Sequence, residues 1–445
     1  MNSTKIKSIV CDEIEKNKDK LIAVAKEILE NPEPGFKEFK TSKIVSREFS
    51  SLDLPYESEI AITGLKSHLD TGNPGRNIAV IGELDSVKVL GHPFADKETT
   101  AAHACGHHCQ IAMMLGVAVG LKATGVLESL SGKVTFMAVP AEEYIEIEYR
   151  DNLRRNGEIE FLGGKPEFVR LGHFDDIDMA MMTHTSVPTN DSKITIGGTN
   201  VGMVGKSIQF SGVASHAGDS PHLGVNALNA AMVAMSAIHA QRETYRDKDS
   251  IRIHPIITKG GVAVSSVPAD VRMETYVRGG SIEAFLSASE KVDRALRAGA
   301  MTVGGSVTIQ TLPGYLPIQN NETFLDLYQN NAAELVGQEK ISRLPPHVMH
   351  GTGSTDMGDI SQLMPVIHPY VEAASGNGHG IDYVIDDYEL AVVTCAKAMA
   401  MTVVDLLADG ASNASRIISE NDSPLTISSY LSLLRSMTKE ETFKE

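Results

Sequence analysis

Residues 101–110 read Ala-Ala-His-Ala-Cys-Gly-His-His-Cys-Gln and so contain three histidines and two cysteines, and residues 140–143 read Pro-Ala-Glu-Glu. Thiolate and imidazole are ligands that borderline divalent cations prefer. Two adjacent carboxylates can have separate roles, since one can bind a metal while the other takes a proton from water. These two segments predict a metal site with its own general base.

Each of these residues also has an ordinary interpretation. Cys105 and His107 form a Cys-x-His pair that occurs by chance in many proteins, and Glu142 with Glu143 could be solvated loop residues. His184 follows an apolar segment, where a histidine can be a capped core residue, and His379 lies in a glycine-rich loop where an exposed histidine usually has no role. The combination, with each residue following a predicted strand or loop, favours a shared metal site.

The elements that must position these residues read as alternating strands and helices. Apolar runs at 77–82, 133–139 and 178–183 predict buried strands, and polar residues follow each of them: Glu83 and Asp85, then Glu142 and Glu143, then His184. Helices are predicted within 4–31 (one or two), and at 37–51, 110–124, 321–336 and 386–408. This α/β pattern places ligand sites at the carboxyl edge of a parallel sheet.

A second unit is predicted in the middle of the chain. Strands at 207–212, 251–258, 269–278 and 306–311 alternate with helices at 223–243 and 281–297, which is enough for a small four-stranded α+β domain. We therefore expect a catalytic domain formed by residues 1–198 and 313–445, with residues 199–312 inserted in it. The tail is expected to hold an amphipathic helix at 425–437 and a charged end.

Composition excludes several classes of function. The net charge of −17, the lack of tryptophan and the 5% aromatic content disfavour a nucleic-acid partner. With 42% hydrophobic and 22% charged residues, neither disorder nor a membrane protein is indicated. The four cysteines are spaced unlike a disulfide framework, and the first residues lack the apolar core of a secretory signal. We expect a cytoplasmic protein with reduced thiols.

Ordered motifs along the chain resemble a known family. They are Glu-Leu-Asp at 83–85, Ala-His-Ala-Cys-Gly-His at 102–107, Pro-Ala-Glu-Glu at 140–143, Ser-His-Ala-Gly at 215–218, Gly-Ser-Thr-Asp at 353–356 and the late His379. In this order they resemble the metallopeptidase family of carboxypeptidase G and aminoacylase, and most closely its amidohydrolase branch, with aminobenzoyl-glutamate hydrolases and auxin-conjugate hydrolases. The resemblance implies a two-metal aminopeptidase-like α/β domain with an inserted lid domain that forms a homodimer.

The resemblance also implies roles for individual residues. It makes Cys105 a bridging thiolate, Glu142 the general base and Asp85 a supporting acid. His216 would reach the active site of the partner subunit and stabilise the oxyanion, and Arg278 would hold a substrate carboxylate; without the family, both would read as surface charges. The resemblance implies two divalent ions per subunit, manganese or zinc, with cobalt or nickel as alternatives. Their implied ligands are Cys105, His107, Glu143, His184 and His379.

The implied reaction is hydrolysis of an amide bond in a small N-acyl amino acid or related conjugate. A dipeptide, another carbon–nitrogen bond such as an aryl amine, or an inactive binding subunit are the alternatives. Three departures from the branch bear on the substrate: His108 replaces the usual Asp, Ser265 stands where relatives carry an Asn, and the segment 144–164 lacks the usual glycine-rich stretch.

Overall fold

The computed structural model describes residues 1–444, so Glu445, the last residue of the expected catalytic segment, lies outside it. The helices, given in chain order, are α1 (Ser3–Lys16), α2 (Lys18–Leu29), α3 (Phe39–Ser51), α4 (His107–Leu121), α5 (Ile147–Arg155), α6 (Gly164–Arg170), α7 (Ala227–Ala240), α8 (Ile282–Val303), α9 (Glu322–Val336), α10 (Met357–Ser361), α11 (Cys395–Glu420) and α12 (Ile427–Met437).

The strands are shorter on average than the helices, and several contain two or three residues. In chain order they are β1 (Tyr56–Ile60), β2 (Gly64–Asp70), β3 (Arg76–Glu83), β4 (Val87–Lys88), β5 (Ala101–Ala102), β6 (Gly132–Val139), β7 (Met179–Met181), β8 (His184–Ser186), β9 (Ile194–Thr199), β10 (Gly202–Ser211), β11 (Arg252–Ile253), β12 (Ile256–Lys259), β13 (Asp270–Gly279), β14 (Ser306–Pro313), β15 (Ile341–Met349), β16 (Val366–Ile367), β17 (Tyr370–Glu372), β18 (Ala374–Ser375), β19 (Val384–Ile385) and β20 (Lys439–Lys444).

The central sheet has six strands in the order β1-β2-β6-β3-β7-β16. Strands β6, β3, β7 and β16 run parallel, whereas β1 and β2 add an antiparallel edge. After its first residue β3 is buried throughout, as its continuous apolar sequence predicts for a strand covered on both faces. Because Glu83 pairs with Val139, β3 and β6 end side by side, which brings the segments after them together.

A second sheet is formed mainly by residues of the predicted insert, in the order β11-β13-β10-β14-β20, with β12 also paired to β13. Burial alternates strictly along β13, as expected for a sheet with one face covered by helices. The prediction of four strands in this sheet was wrong in two respects. The expected strand at 251–258 is divided between β11 and β12, and the tail supplies a further edge strand, β20, which pairs with β14.

Helix α11 packs in the main hydrophobic core, and a π-helical turn, Glu389–Thr394, leads into it. Its backbone leaves the helical conformation at residues 408–411, near the end predicted from the sequence. The span Glu389–Glu420 is long and apolar enough to cross a membrane, but 83% of its most apolar window is buried inside the protein. Such burial is the property of a core helix in a folded domain.

Candidate active site

The loop between β5 and α4 places two candidate ligands next to each other. Cys105 precedes the helix, Gly106 is its N-cap with φ of 85°, and His107 is its first residue. A Cβ atom on Gly106 would collide with Thr185 Oγ1, so the loop needs glycine both for the left-handed conformation and for close packing. Cys105 and His107 therefore project from one tight turn onto the segment that begins at His184.

The two glutamates follow a strained turn at the end of β6. Ala141 has φ of 57°, a conformation that costs energy in any residue with a Cβ. Hydrogen bonds hold this turn, because Ala141 N donates to Glu38 Oε1 at 2.8 Å and Arg150 Nη1 donates to Ala141 O at 3.2 Å. Both partners are fully buried. The fold thus fixes Glu142 and Glu143 at the edge of the sheet.

The five predicted metal ligands lie together around Cys105. Cys105, His107 and His184 offer ligand atoms within 4.8 Å of one another, and Cys105, Glu143 and His379 do the same. The Cys105 Sγ atom lies 3.3 Å from His184 Nε2, and His379 Nε2 lies 3.1 Å from Glu143 Oε1. A third group, formed by Glu83, His107 and Glu142, meets the same criterion but lacks the thiol. Because Cys105 belongs to the first two groups, these five residues could hold two cations with Cys105 as a common ligand.

The orientation of the imidazoles also fits metal binding. His107 Nδ1 donates to Asp85 O at 2.9 Å, and His184 Nδ1 donates to Thr185 O at 2.6 Å, so in both rings Nε2 is the nitrogen left for a cation, which would take the place of its proton. His107 Nε2 and Glu143 Oε1 are buried without a hydrogen bond in the described residues. Asp85 supports the same arrangement, since its Oδ2 accepts from Glu143 N at 2.9 Å.

Burial and charge shift the ionisation of these groups. Burial and the Glu143 carboxylate raise the pKa of Cys105, but the imidazoles of His184 and His107 outweigh them and lower it to about 6. A thiol with this pKa is a thiolate near neutral pH, which is the metal-binding form. Burial, followed by the charges of Glu83 and Glu143, raises the pKa of Glu142 well above its usual value. A carboxylate with a raised pKa is a stronger proton acceptor, so Glu142 is suited to take a proton as a general base and to pass it on as the acid.

A buried charge cluster beside the site was not predicted. Lys165 Nζ lies 2.5 Å from Glu83 Oε1 and also contacts Asp356 Oδ1, and all three side chains are inaccessible to solvent. Glu83 Oε2 in turn lies 3.2 Å from His107 Nε2. Asp356 belongs to the Gly-Ser-Thr-Asp motif, but in the sequence nothing distinguishes Lys165 from a surface lysine. Only the packing of α6 against this edge identifies it.

A cavity of about 240 Å³ opens onto the site and is lined by Cys105, Glu142 and Arg278, among others. The structure thus brings Arg278 to the predicted metal ligands. Arg278 Nε is buried without a partner in the described residues, so this group is available to an anion. His216 does not join the site within one chain: it is exposed, and its Nδ1 accepts from Gly218 N and Asp219 N. Its role stays a prediction that needs a second subunit.

Further residues line the same cavity. Gly353, Ser354 and Thr355 belong to the Gly-Ser-Thr-Asp motif, whereas the sequence analysis did not single out Asn200, His350, Gly351, His368 and Tyr370. Both ring nitrogens of His368 and the Ser354 hydroxyl are buried without a hydrogen bond among residues 1–444. Because these unpaired groups line the same cavity as the glutamates, they can contact a substrate bound there.

Sequence comparisons show that this chain is similar to known hydrolases and peptidases. The family model of peptidase family M20/M25/M40 matches residues 64–405. The chain is 30% identical to the Xaa-Arg dipeptidase of Mus musculus, over 74% of this chain and 70% of that one. It is 23% identical to the IAA-amino acid hydrolase ILR1-like 4 of Arabidopsis thaliana, over 78% of this chain and 76% of the other.

A solved structure shows the same fold. It is a dinuclear metal-binding peptidase of the M20 family from Bacillus subtilis, which superimposes with a TM-score of 0.61 at 21% identity and covers 88% of this chain and 99% of its own. The predicted aminopeptidase-like α/β fold class is confirmed by this likeness and by the family match, whereas the inserted lid domain and the number of metal ions stay predictions. Since the family model spans most of the chain, including every predicted metal ligand, the protein is a hydrolase that belongs to peptidase family M20/M25/M40.

Proposed function

We propose that the protein hydrolyses the amide bond of a small N-acyl amino acid or a related conjugate, with two divalent cations per subunit. The observation that carries this proposal is the position of Cys105, whose sulfur belongs to two of the three groups of candidate ligands. One group adds His107 and His184, and the other adds Glu143 and His379. Manganese or zinc suits this mixture of sulfur, nitrogen and oxygen ligands, and cobalt or nickel tolerates it.

Bound cations would polarise the substrate carbonyl and lower the pKa of water from about 15.7 toward about 7. The protein supplies the proton transfers. Glu142 accepts a proton from the attacking water and delivers it to the leaving nitrogen, which its raised pKa permits. The Tyr315 hydroxyl donates to the Glu142 backbone carbonyl, so the main chain that carries this carboxyl is held in place.

Arg278 is proposed to bind the carboxylate of the amino-acid half of the substrate. Its guanidinium lies 4.9 Å from the centre of the Tyr276 ring, and burial lowers its pKa somewhat, while Tyr276 and Glu143 oppose this. A guanidinium that is partly removed from water and lacks a carboxylate partner gains most from a substrate that brings one. The amide carbonyl of such a substrate would then lie over Glu142.

Residues 199–312 are proposed to form a lid that makes a homodimer. Two loops next to His216 carry exposed apolar side chains: Val213 and Leu223 on one, and Val262 and Val264 on the other. The loops are joined by the bridge between His216 and Ser266. Adjacent exposed apolar residues of this kind indicate a protein contact. A second copy placed there would bury them and could bring its own His216 to the cavity.

A complementation experiment tests this role of His216. His216→Ala and Glu142→Gln subunits, each inactive as a homodimer, are mixed after mild dissociation. If His216 acts across the interface, a mixed dimer has one site with both residues, and about one quarter of wild-type activity returns. Absence of any recovery in a sample shown to contain mixed dimers would contradict the proposal.

Hydrolysis assays on the metal-loaded protein test the reaction itself. The panel contains N-acyl amino acids, their decarboxylated analogues, and dipeptides with a C-terminal arginine, because the similar protein from Mus musculus is called an Xaa-Arg dipeptidase. We expect release of a free amino acid, and in Glu142→Gln a decrease in kcat of about 10²- to 10⁴-fold with metal content unchanged. Full activity of this variant would refute the general-base assignment, and cleavage of dipeptides alone would favour the dipeptidase alternative.

A further inference from the structure

His103, in the loop between β5 and α4, and His108, in the first turn of α4, take no part in the proposed reaction. His103 and His108 line a separate cavity of about 260 Å³ behind the loop, together with His92 and Tyr388. This cavity shares no lining residue with the one that contains Glu142 and the predicted metal ligands. The segment from β5 to the first turn of α4 thus borders two cavities, of which only one contains the candidate active site.

Three ring nitrogens in this second cavity lack partners, whereas His108 Nε2 lies 3.2 Å from the Tyr388 hydroxyl. His103 is 2% exposed, and both of its ring nitrogens are without a hydrogen bond in the described residues, as is Nδ1 of His108. His92 differs, since its Nε2 donates to Tyr383 O at 2.8 Å and its Nδ1 accepts from Phe94 N at 3.2 Å. Unpaired polar atoms at this depth cost free energy, so they point to a ligand that completes their hydrogen bonds.

The surroundings decide what kind of ligand fits. His103 offers both of its ring nitrogens to a ligand, and His108 offers its Nδ1. The remaining walls include the apolar side chains of Leu29, Phe94 and Ile385. Lys26 and Glu30 also line the cavity, but both are exposed to solvent. A charged group held beside the buried His103 would lose its hydration, and an exposed counter-ion would compensate little of that loss, so an uncharged ligand is favoured.

We propose that this cavity is a binding site for a small uncharged aromatic molecule with a phenol-type hydroxyl. The hydroxyl donates to one imidazole and accepts from the other, between His103 and His108, and the ring packs between Leu29, Phe94 and Ile385. The volume is slightly below that of pockets for drug-sized ligands, so it suits a single ring with small substituents. This proposal does not depend on the reaction that the metal site performs.

Titration of the metal-loaded, full-length protein with 4-fluorophenol, followed by fluorine NMR, tests the site. We expect saturable binding, with fluorobenzene about tenfold weaker because it cannot pair with the imidazoles. His103→Leu should weaken 4-fluorophenol binding by about the same factor. Leu29→Trp should abolish it by filling the cavity, and it changes no group near the metal. Arg278→Met, in the other cavity, should leave it unchanged.

Three results would overturn the proposal. The first is equal binding of fluorobenzene and 4-fluorophenol. The second is loss of 4-fluorophenol binding in Arg278→Met with binding retained in Leu29→Trp. The third is the absence of saturation with 4-fluorophenol up to about 10 mM, because a dissociation constant above this value is too weak for a formed site. The unfolding midpoint and metal content of each variant show whether it is folded. If His103→Leu does not fold, the Leu29→Trp variant and the comparison of the two ligands still decide the matter.

Discussion

Replacement of Lys165 by methionine tests the buried charge cluster beside the active site. The methionine fills a similar volume but leaves Glu83 and Asp356 facing the same space without a cation. Burial lowers the pKa of Lys165, but Asp356 and Glu83 together raise it above its usual value, so the wild-type side chain is an ammonium. Removal of one partner from a buried ion pair costs about 3–5 kcal/mol of folding free energy.

The loss should depend on pH in a defined direction. Burial raises the pKa of Asp356 to about 6 even though Lys165 opposes the shift, and without the lysine it must rise further. An acid with a folded-state pKa above its unfolded value favours folding at low pH and loses that contribution as pH rises through the folded value. Lys165→Met should therefore recover up to about 2 kcal/mol of its deficit relative to the wild type between pH 7.5 and pH 5.

Urea unfolding at both pH values measures these changes, with Lys206→Met as a matched control. Lys206 is also inaccessible to solvent, but it contacts a single carboxylate, Asp293, at 2.6 Å and lies in the second sheet. Both variants should be destabilised, but only Lys165→Met should lower kcat, by about tenfold or more, because Glu83 is freed next to His107. A loss below about 1 kcal/mol at pH 7.5, or the same loss at both pH values, would refute the reasoning.

Three further predictions concern the metal ligands, the substrate and the turn before Glu142. Cys105→Ser should lose metal from both positions, as measured by elemental analysis, because a serine hydroxyl is not ionised near neutral pH; retention of two ions would contradict a bridging thiolate. Arg278→Met should raise KM about tenfold or more for a substrate with a carboxylate, with little effect on its decarboxylated analogue, whereas an equal effect on both would exclude the clamp. Burial and Asp85 raise the pKa of Glu38 to about 7. The free energy of unfolding of the wild type, relative to that of Glu38→Gln, should therefore fall by about 3 kcal/mol from pH 4.5 to pH 7.5. Urea unfolding measures this difference, and the same difference at both pH values would contradict the prediction.

The elements near the site were predictable because strong local patterns specify them. Predicted strands at 77–82 and 133–139 correspond to β3 and β6, and the helix predicted at 110–124 corresponds to α4 with its start moved to His107. The start was missed because its N-cap is Gly106 in a left-handed conformation, which departs from the usual Ser, Thr, Asp or Asn signal.

Other features of the fold could not be read from local patterns. Strand β20 has the charged sequence of an exposed tail, and it is a strand because the open edge of β14 supplies its hydrogen bonds. The break of the predicted strand at 251–258 similarly reflects pairing of β11 and β12 with different parts of β13. Such pairing depends on partners distant in sequence, so propensity alone does not reveal it.

The sequence by itself determined which chemistry this protein carries: one thiol, three imidazoles and paired glutamates occur in ordered motifs, each after a predicted strand or in a predicted loop. Only the tertiary structure decided which of these groups meet. Adjacent histidines illustrate the reason: His107 and His108 belong to the same helical turn, yet His107 contacts Glu83 among the candidate ligands whereas His108 lines the second cavity. Side-chain direction and burial, which follow from packing between distant segments, separate a metal ligand from its neighbour and make Lys165 a buried cation.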